Sequence, residues 1–269
     1  MPIIMISRGS YSRGKEVAEK VAQRLGYECI ARDVLLEASH EFNVEEVKLN
    51  RALHDQPSFF GKLSYRKERY VAYIRAALLE HLKRDNIVYH GLAGHFFVRD
   101  VSHALKVRII ADLEARVRLV MERDGSSERA ALNHIERIDK ERRKWSLHLY
   151  GIDNTDPKIY DLVLHINKLT VADAVDIITH AANLPHLQAT DESRRALEDE
   201  ALAAAVKAVL VKPYPDVEVT SEDGVVFVTA KTTEAEELRM DKRIRELACV
   251  VPGVKDVQVH LRWFTPFGA

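Results

Sequence analysis

The 269-residue chain has only two cysteines, Cys29 and Cys249, which form neither a CxxC pair nor a zinc-type spacing. They read as small buried apolar side chains of a reducing compartment. No apolar run approaches the ~20 residues needed to cross a bilayer. The N-terminus also lacks the basic start, apolar stretch and cleavage site of a secretory signal. No membrane span is expected, and the chain reads as cytoplasmic. Charge of one sign is missing too: 40 Lys and Arg against 41 Asp and Glu leave a net charge of −1. That balance argues against bulk nucleic-acid or membrane-surface binding and leaves only a local basic patch open. His90, His95 and His103 have no metal spacing with the cysteines and read as structural or loop histidines. With 46% hydrophobic residues, the chain still has enough apolar material to bury a sizeable core.

Short apolar runs alternate with helical periodicity over the first two thirds. Pro2 to Ser7 is a buried-strand candidate, and Val17, Ala18, Val21, Ala22 and Leu25 then recur at helical spacing before Gly26. Further strands are expected at Tyr27–Ile30, Asn86–His90, Leu105–Ala111 and Tyr160–Ile166. Helices are expected over 44–85 with a break near Gln56-Pro57-Ser58, over 113–123, over 128–144 and over 171–182. The order predicts a three-layer α/β domain with a parallel sheet over 1–184. Pro185 and small polar residues mark a linker over 185–193. Beyond it, a helix (194–210), a hairpin turned at Asp223-Gly224, a charged helix (233–249) and a last strand (256–263) predict a small α+β domain over 194–269.

The strongest local signal is Gly9-Ser10-Tyr11-Ser12-Arg13-Gly14-Lys15, which satisfies GxxxxGK between a strand and a helix. Phosphate binding demands consecutive backbone N–H groups at a helix N-terminus, where the dipole adds positive potential. Glycines permit close approach and a lysine reaches the outer phosphates. The competing reading is an ordinary βα turn holding two glycines. Glu16 stands where Ser or Thr would offer a hydroxyl to Mg²⁺, and His90-Gly91 follow the strand where an acid would help hold the metal. The residues that would bind a metal are therefore left open.

Several blocks in order resemble the cytidylate-kinase-like family of nucleoside monophosphate kinases, over roughly residues 2–182. They are Ile6-Ser7-Arg8 with Gly14-Lys15-Glu16, then Arg32-Asp33, then Asp139-Lys140-Glu141-Arg142, which is similar to the family's lid, and Tyr160-Asp161-Leu162. Glu16 is usual in that family, whereas Leu92 in His90-Gly91-Leu92-Ala93-Gly94 replaces an arginine. The resemblance implies a P-loop kinase fold, ATP and Mg²⁺, and transfer of the ATP γ-phosphoryl to a nucleoside monophosphate. It implies catalytic roles for Lys15, Arg137 and Arg142. Nucleotide contacts are expected from Gly9, Ser10, Ser12, Arg13, Gly14, Lys15, Glu16, Asp33, Arg116, Asp139 and Arg143. Arginines suit the task because a guanidinium fork matches phosphate oxygens. For Arg116 and Arg118 a solvated helix face is an equal reading, and the run Arg66-Lys67-Glu68-Arg69 reads as surface charge.

The tail is similar to a BON domain through Asp223-Gly224-Val225-Val226 and Val251-Pro252-Gly253-Val254 followed by Lys255-Asp256-Val257. That resemblance implies binding of a ligand or partner, and a packing or dimerisation element is the alternative. Three functions stay in view: a kinase, a nucleotide-binding regulator that does not turn over, and a scaffold with a vestigial loop. The expected partners are a nucleoside triphosphate and a nucleoside monophosphate. The acceptor base and the oligomeric state are not legible.

Overall fold

A computed structural model describes residues 2–31, 33–45, 48, 61–91 and 94–263, with side chains except at 33, 35, 37, 61–67 and 149. The expected helix break at 56–58, Arg32, Leu92 and the side chains of Asp33, Arg66 and Lys67 lie outside the described residues.

Five strands form one sheet in the order β2-β3-β1-β4-β5: β1 (Ile3–Arg8), β2 (Glu28–Ile30), β3 (Ile87–His90), β4 (Ala104–Ala111) and β5 (Leu162–Ile166). Every pairing is parallel. β1 shows why the run of apolar residues is unbroken. Ile3 and Met5 enter the core on one face of the sheet, while Ile4 and Ile6 enter the core on the other. A strand covered on both faces has no solvent side for polar residues.

The second of those faces is covered by α1 (Gly14–Leu25) and α7 (Val171–Ala182). The first is covered by α2 (Asp33–Glu41) and α3 (Gly61–Leu82), with the short helix α4 (Gly94–Phe97) beneath them. This is the three-layer α/β architecture that the alternation predicts. Helix α4 begins at Gly94 and was not foreseen, and Cys29 and Cys249, expected to be buried, are half-buried and exposed respectively. Helix α5 (Leu113–Asp124) and the long α6 (Glu128–Tyr150) form a hairpin with a small core of Val117, Val120, Ala131 and Ile135. Helix α6 runs past the expected end at Lys144. Gly151, at φ 65°, supplies the left-handed stop and donates its N–H to the Leu147 carbonyl.

The second sheet has the order β6-β7-β8, made of β6 (Glu218–Glu222), β7 (Val225–Thr232) and β8 (Asp256–Trp263). The hairpin between β6 and β7 turns at Asp223 and Gly224, both at positive φ, as a two-residue turn of that sequence requires. Helix α9 (Glu237–Ala248) crosses over so that β8 pairs parallel to β7.

Helix α8 (Asp191–Leu210) opens earlier than its expected start at Arg194 because Thr190 and Ser193 form a reciprocal capping box. Its buried residues split between two cores. Leu197, Ala201, Ala204 and Ala208 join the core under α3, while Val206 and Leu210 join the core of the small sheet. Arg75 of α3 pairs with Glu200, and Arg194 pairs with Asp85 at 2.7 Å. Ahead of α8, Leu184 and Leu187 pack onto the core of α1 and α7.

Candidate functional site

The loop after β1 is built by local hydrogen bonds that aim it at the N-terminus of α1. Gly9 N–H donates to the Ile109 carbonyl of β4, which pins the loop to the sheet. The fully buried Ser12 hydroxyl lies 2.9 Å from both the Gly9 and Ile109 carbonyls, closing the turn from inside. Tyr11 and Arg13 take left-handed φ values of 59° and 62°, and Arg13 is the residue before α1 begins at Gly14. A Cβ on Gly14 would stand 2.6 Å from Cβ of Arg8, so only glycine lets α1 start this close to β1. Lys15 is exposed and stands 3.5 Å from Glu19, and Glu16 pairs with Lys20 at 2.8 Å.

Helix α6 closes over this loop through a defined latch. Ser10 donates to Oδ1 of Asp139 from both its N–H (3.3 Å) and its hydroxyl (2.8 Å). Arg116 of α5 donates from Nε to the Ser10 carbonyl at 2.6 Å and from Nη2 to Oδ2 of Asp139 at 2.5 Å. A second contact crosses at Tyr11, whose hydroxyl lies 2.8 Å from Nε2 of His134, with Arg123 stacked over its ring. Arg142 donates to the Arg8 carbonyl at 3.2 Å.

Four guanidinium groups converge beneath that latch. Arg8, Arg108, Arg116 and Arg142 line one pocket of about 210 Å³ together with Asp139 and Asn154. Burial holds Arg142 down to about 10, below the ordinary arginine range; Arg8 adds to this, then Arg116 and Arg108, with Asp139 opposing. Burial also lowers Arg8. Among the described residues, Nε of Arg142 and Oδ1 of Asn154 are buried and meet no hydrogen-bond partner. Concentrated positive charge of this kind, with a single carboxylate among its lining, is a receptor for a polyanion. A larger cleft of about 600 Å³ on the loop side is shared by Arg8, Arg142 and the whole of Ser10 to Glu16.

The buried neighbour of this cluster is Tyr160. Its hydroxyl accepts from Arg108 at 3.2 Å and donates to the Asn154 carbonyl at 2.8 Å, with Oγ of Ser7 at 3.1 Å and Nε2 of His95 at 3.3 Å. Burial and three nearby cations push His95 down to about 3, so it is neutral where it packs against Tyr160.

The structure therefore places Ser10, Ser12, Arg13, Gly14, Lys15 and Glu16 on the larger cleft and Gly9, Arg116 and Asp139 on the smaller pocket, with Arg142 lining both. Arg137 stands apart on an exposed face of α6, near Glu141 and His134. Arg143 is tied to Asp153 at 2.6 Å and lines neither of these pockets. Arg108 was not among the expected site residues, nor was Arg8 beyond its place in a motif. The signal for Arg108 was present: an arginine inside the apolar run Leu105–Ala111 needs a reason to be buried. No grouping of three or more His, Cys, Asp or Glu suited to a metal occurs among the described residues. No helix among them is long and apolar enough to cross a membrane.

A parallel sheet of this order, a phosphate loop after its first strand and an arginine-bearing helix across that loop define a P-loop kinase-like phosphotransferase. Residues 3–168 match the cytidylate kinase-like family, and the chain belongs to that family. It is 27% identical over 178 residues to the cytidylate kinase of Pyrobaculum aerophilum, covering 66% of this chain and 90% of the relative. Against the cytidylate kinase of Sulfolobus acidocaldarius the identity is 24% over 176 residues, covering 65% and 91%. Among solved structures, an uncharacterized protein from Eubacterium ventriosum shares the fold with a TM-score of 0.51 at 20% identity, covering 68% of this chain and 99% of the other.

Proposed function

We propose that this chain transfers the γ-phosphoryl of ATP to a nucleoside monophosphate, with cytidylate as the preferred acceptor. The observation that carries this reading is the convergence of Arg8, Arg108, Arg116 and Arg142 beside the Gly9–Lys15 loop. One such loop holds the phosphates of a donor, and four further guanidiniums are more positive charge than one triphosphate needs. A second phosphate, on the acceptor, accounts for them. The oxygen of the acceptor phosphate bonds to the γ-phosphorus as the bond to the β-γ bridging oxygen breaks, giving a nucleoside diphosphate and ADP. Little covalent chemistry is asked of the protein, so positioning and charge stabilisation supply the rate.

Loop amides and Lys15 would hold the donor phosphates, and Arg142 and Arg116 would neutralise charge as the phosphoryl moves. The cleft of about 330 Å³ between Tyr11, Arg13, Arg118 and Asn167 adjoins the loop and suits the donor base. Ser10 and Ser12 already spend their hydroxyls on Asp139 and on carbonyls. That donor set fits a Mg²⁺ held mostly by phosphate oxygens and water, with Glu16 as the nearby carboxylate once it releases Lys20. When bound, Mg²⁺ would supply Lewis-acid charge to the bridging phosphates. Arg137 and Arg143 would act only if α6 shifts on closure. Such chemistry fits a cytoplasmic protein. Residues 194–269, joined through 185–193, are read as an appended BON-like unit that binds a partner.

A coupled assay of ADP release with ATP, Mg²⁺ and CMP, dCMP, UMP or AMP tests this. Turnover highest with CMP or dCMP supports it. Calorimetric binding of ATP with no turnover on any acceptor would replace it with a nucleotide-sensing role.

A further inference from the structure

The small sheet ends in β8, and among the described residues nothing pairs with its outer edge. This edge is eight residues long, has no proline, and pairs to β7 in unbroken register from Asp256 to Trp263. Edges of that length are normally blunted by a bulge, a proline or a covering segment, because their free N–H and C=O groups recruit another strand. Here the ends of the edge carry apolar groups instead. Leu238 is 88% exposed, Val250 73% and Trp263 65%, the three most exposed large hydrophobic residues among those described. Trp263 donates from Nε1 to Glu237, so Leu238 and Trp263 lie at one end of β8. Val250 lies at the other, where the chain leaves α9 to re-enter the strand at Asp256.

We infer that β8 pairs antiparallel with β8 of a second copy of this chain about a two-fold axis, giving one continuous six-stranded sheet. The sequence of the strand is complementary to itself in one register. Asp256, Gln258, His260 and Arg262 are exposed on the open face, while Val257, Val259 and Leu261 face the helices. A two-fold centred on Val259 keeps both faces matched and pairs the strand over 256–262. It sets Asp256 against the partner's Arg262, Gln258 against the partner's His260, and Val257 against the partner's Leu261. Slipping the register by one residue pairs open-face with helix-face residues, and slipping it by two loses the Asp–Arg pairs. Each Asp–Arg pair occurs twice by symmetry, as an isologous interface requires. The same axis brings Leu238 and Trp263 of one copy to the end where the partner's Val250 stands, so the three exposed apolar residues are covered together. Val259 and Leu261, only partly buried in the single chain, also lose their remaining exposure. Self-association here does not depend on what the phosphate loop binds.

Sedimentation velocity on the full chain over a concentration series tests the inference. The expected species has twice the 30.6 kDa chain mass. Arg262→Asp places Asp256 against a second aspartate at both symmetric positions and should weaken the dimer by about tenfold or more. The double swap Asp256→Arg with Arg262→Asp restores opposite charges and should recover affinity to within about threefold. Both positions are exposed, so circular dichroism should show unchanged folding. A monomer at every concentration overturns the inference, and so does a dimer indifferent to Arg262→Asp or one that the double swap fails to restore.

Discussion

Replacing Arg142 by methionine separates the work of the site from the stability of the fold, because the two should move in opposite directions. Arg142 is largely buried beside Arg8, Arg116 and Arg108, and its Nε meets no hydrogen-bond partner among the described residues. A base whose folded pKa is lowered destabilises the folded chain at every pH below that value. Held at about 10, well below its ordinary value, its charge costs the ligand-free protein on the order of 3 kcal/mol. Asp139 already offsets part of the repulsion, the side chain keeps a solvent rim, and the bond to the Arg8 carbonyl is lost with the substitution. A net gain of about 1–2 kcal/mol remains, or a rise in apo melting temperature of about 2–6 °C. On the proposed function the same guanidinium would meet phosphate charge, so kcat/KM with ATP and CMP should fall about 100- to 1000-fold. Thermal denaturation of the ligand-free protein and the coupled assay read the two halves separately. A melting temperature that drops by several degrees, or a kcat/KM within threefold of the parent, would refute the reasoning.

Lys15→Ala should reduce kcat/KM about 100-fold while shifting the apo melting temperature by less than about 1 °C, since Lys15 is exposed and its pair with Glu19 lies at the surface; an equal loss in both would mean that the lysine is structural. Gly14→Ala should cost about 1–3 kcal/mol in urea unfolding, because its Cβ would meet Cβ of Arg8 at 2.6 Å. Leu197→Ala should destabilise by about 2–5 kcal/mol and should lower the temperature at which kinase activity is lost, because that side chain belongs to the core under α3; activity surviving to the parent's temperature would show that the C-terminal unit unfolds independently. His95 is held at about 3, below its ordinary 6.5. The unfolded chain therefore binds the proton first, and stability falls as pH drops below about 6.5, by about 2 kcal/mol at pH 5. His95→Phe should flatten that slope in unfolding curves taken between pH 7 and pH 5.

The phosphate loop and the parallel sheet were legible in the sequence because both are local. Gly14 must be glycine for α1 to begin against β1, and an unbroken run such as Ile3–Ile6 suits only a strand covered on two faces. The Asp139–Arg142 block was legible as a lid for the same reason: its residues lie on one helix. The convergence of Arg8, Arg108, Arg116 and Arg142 was not. They come from β1, β4, α5 and α6, and only the strand order β1-β4 and the closure of α6 bring them to one pocket. Arg137, chosen for its place in the lid, stands outside because a helix turns each residue to a different face. Helix α8 read as the start of a separate unit, since its periodicity records that it is buried but not against what. Sequence patterns specify which residues leave water; tertiary packing decides that Leu197 and Leu210 of that helix leave it into two different cores.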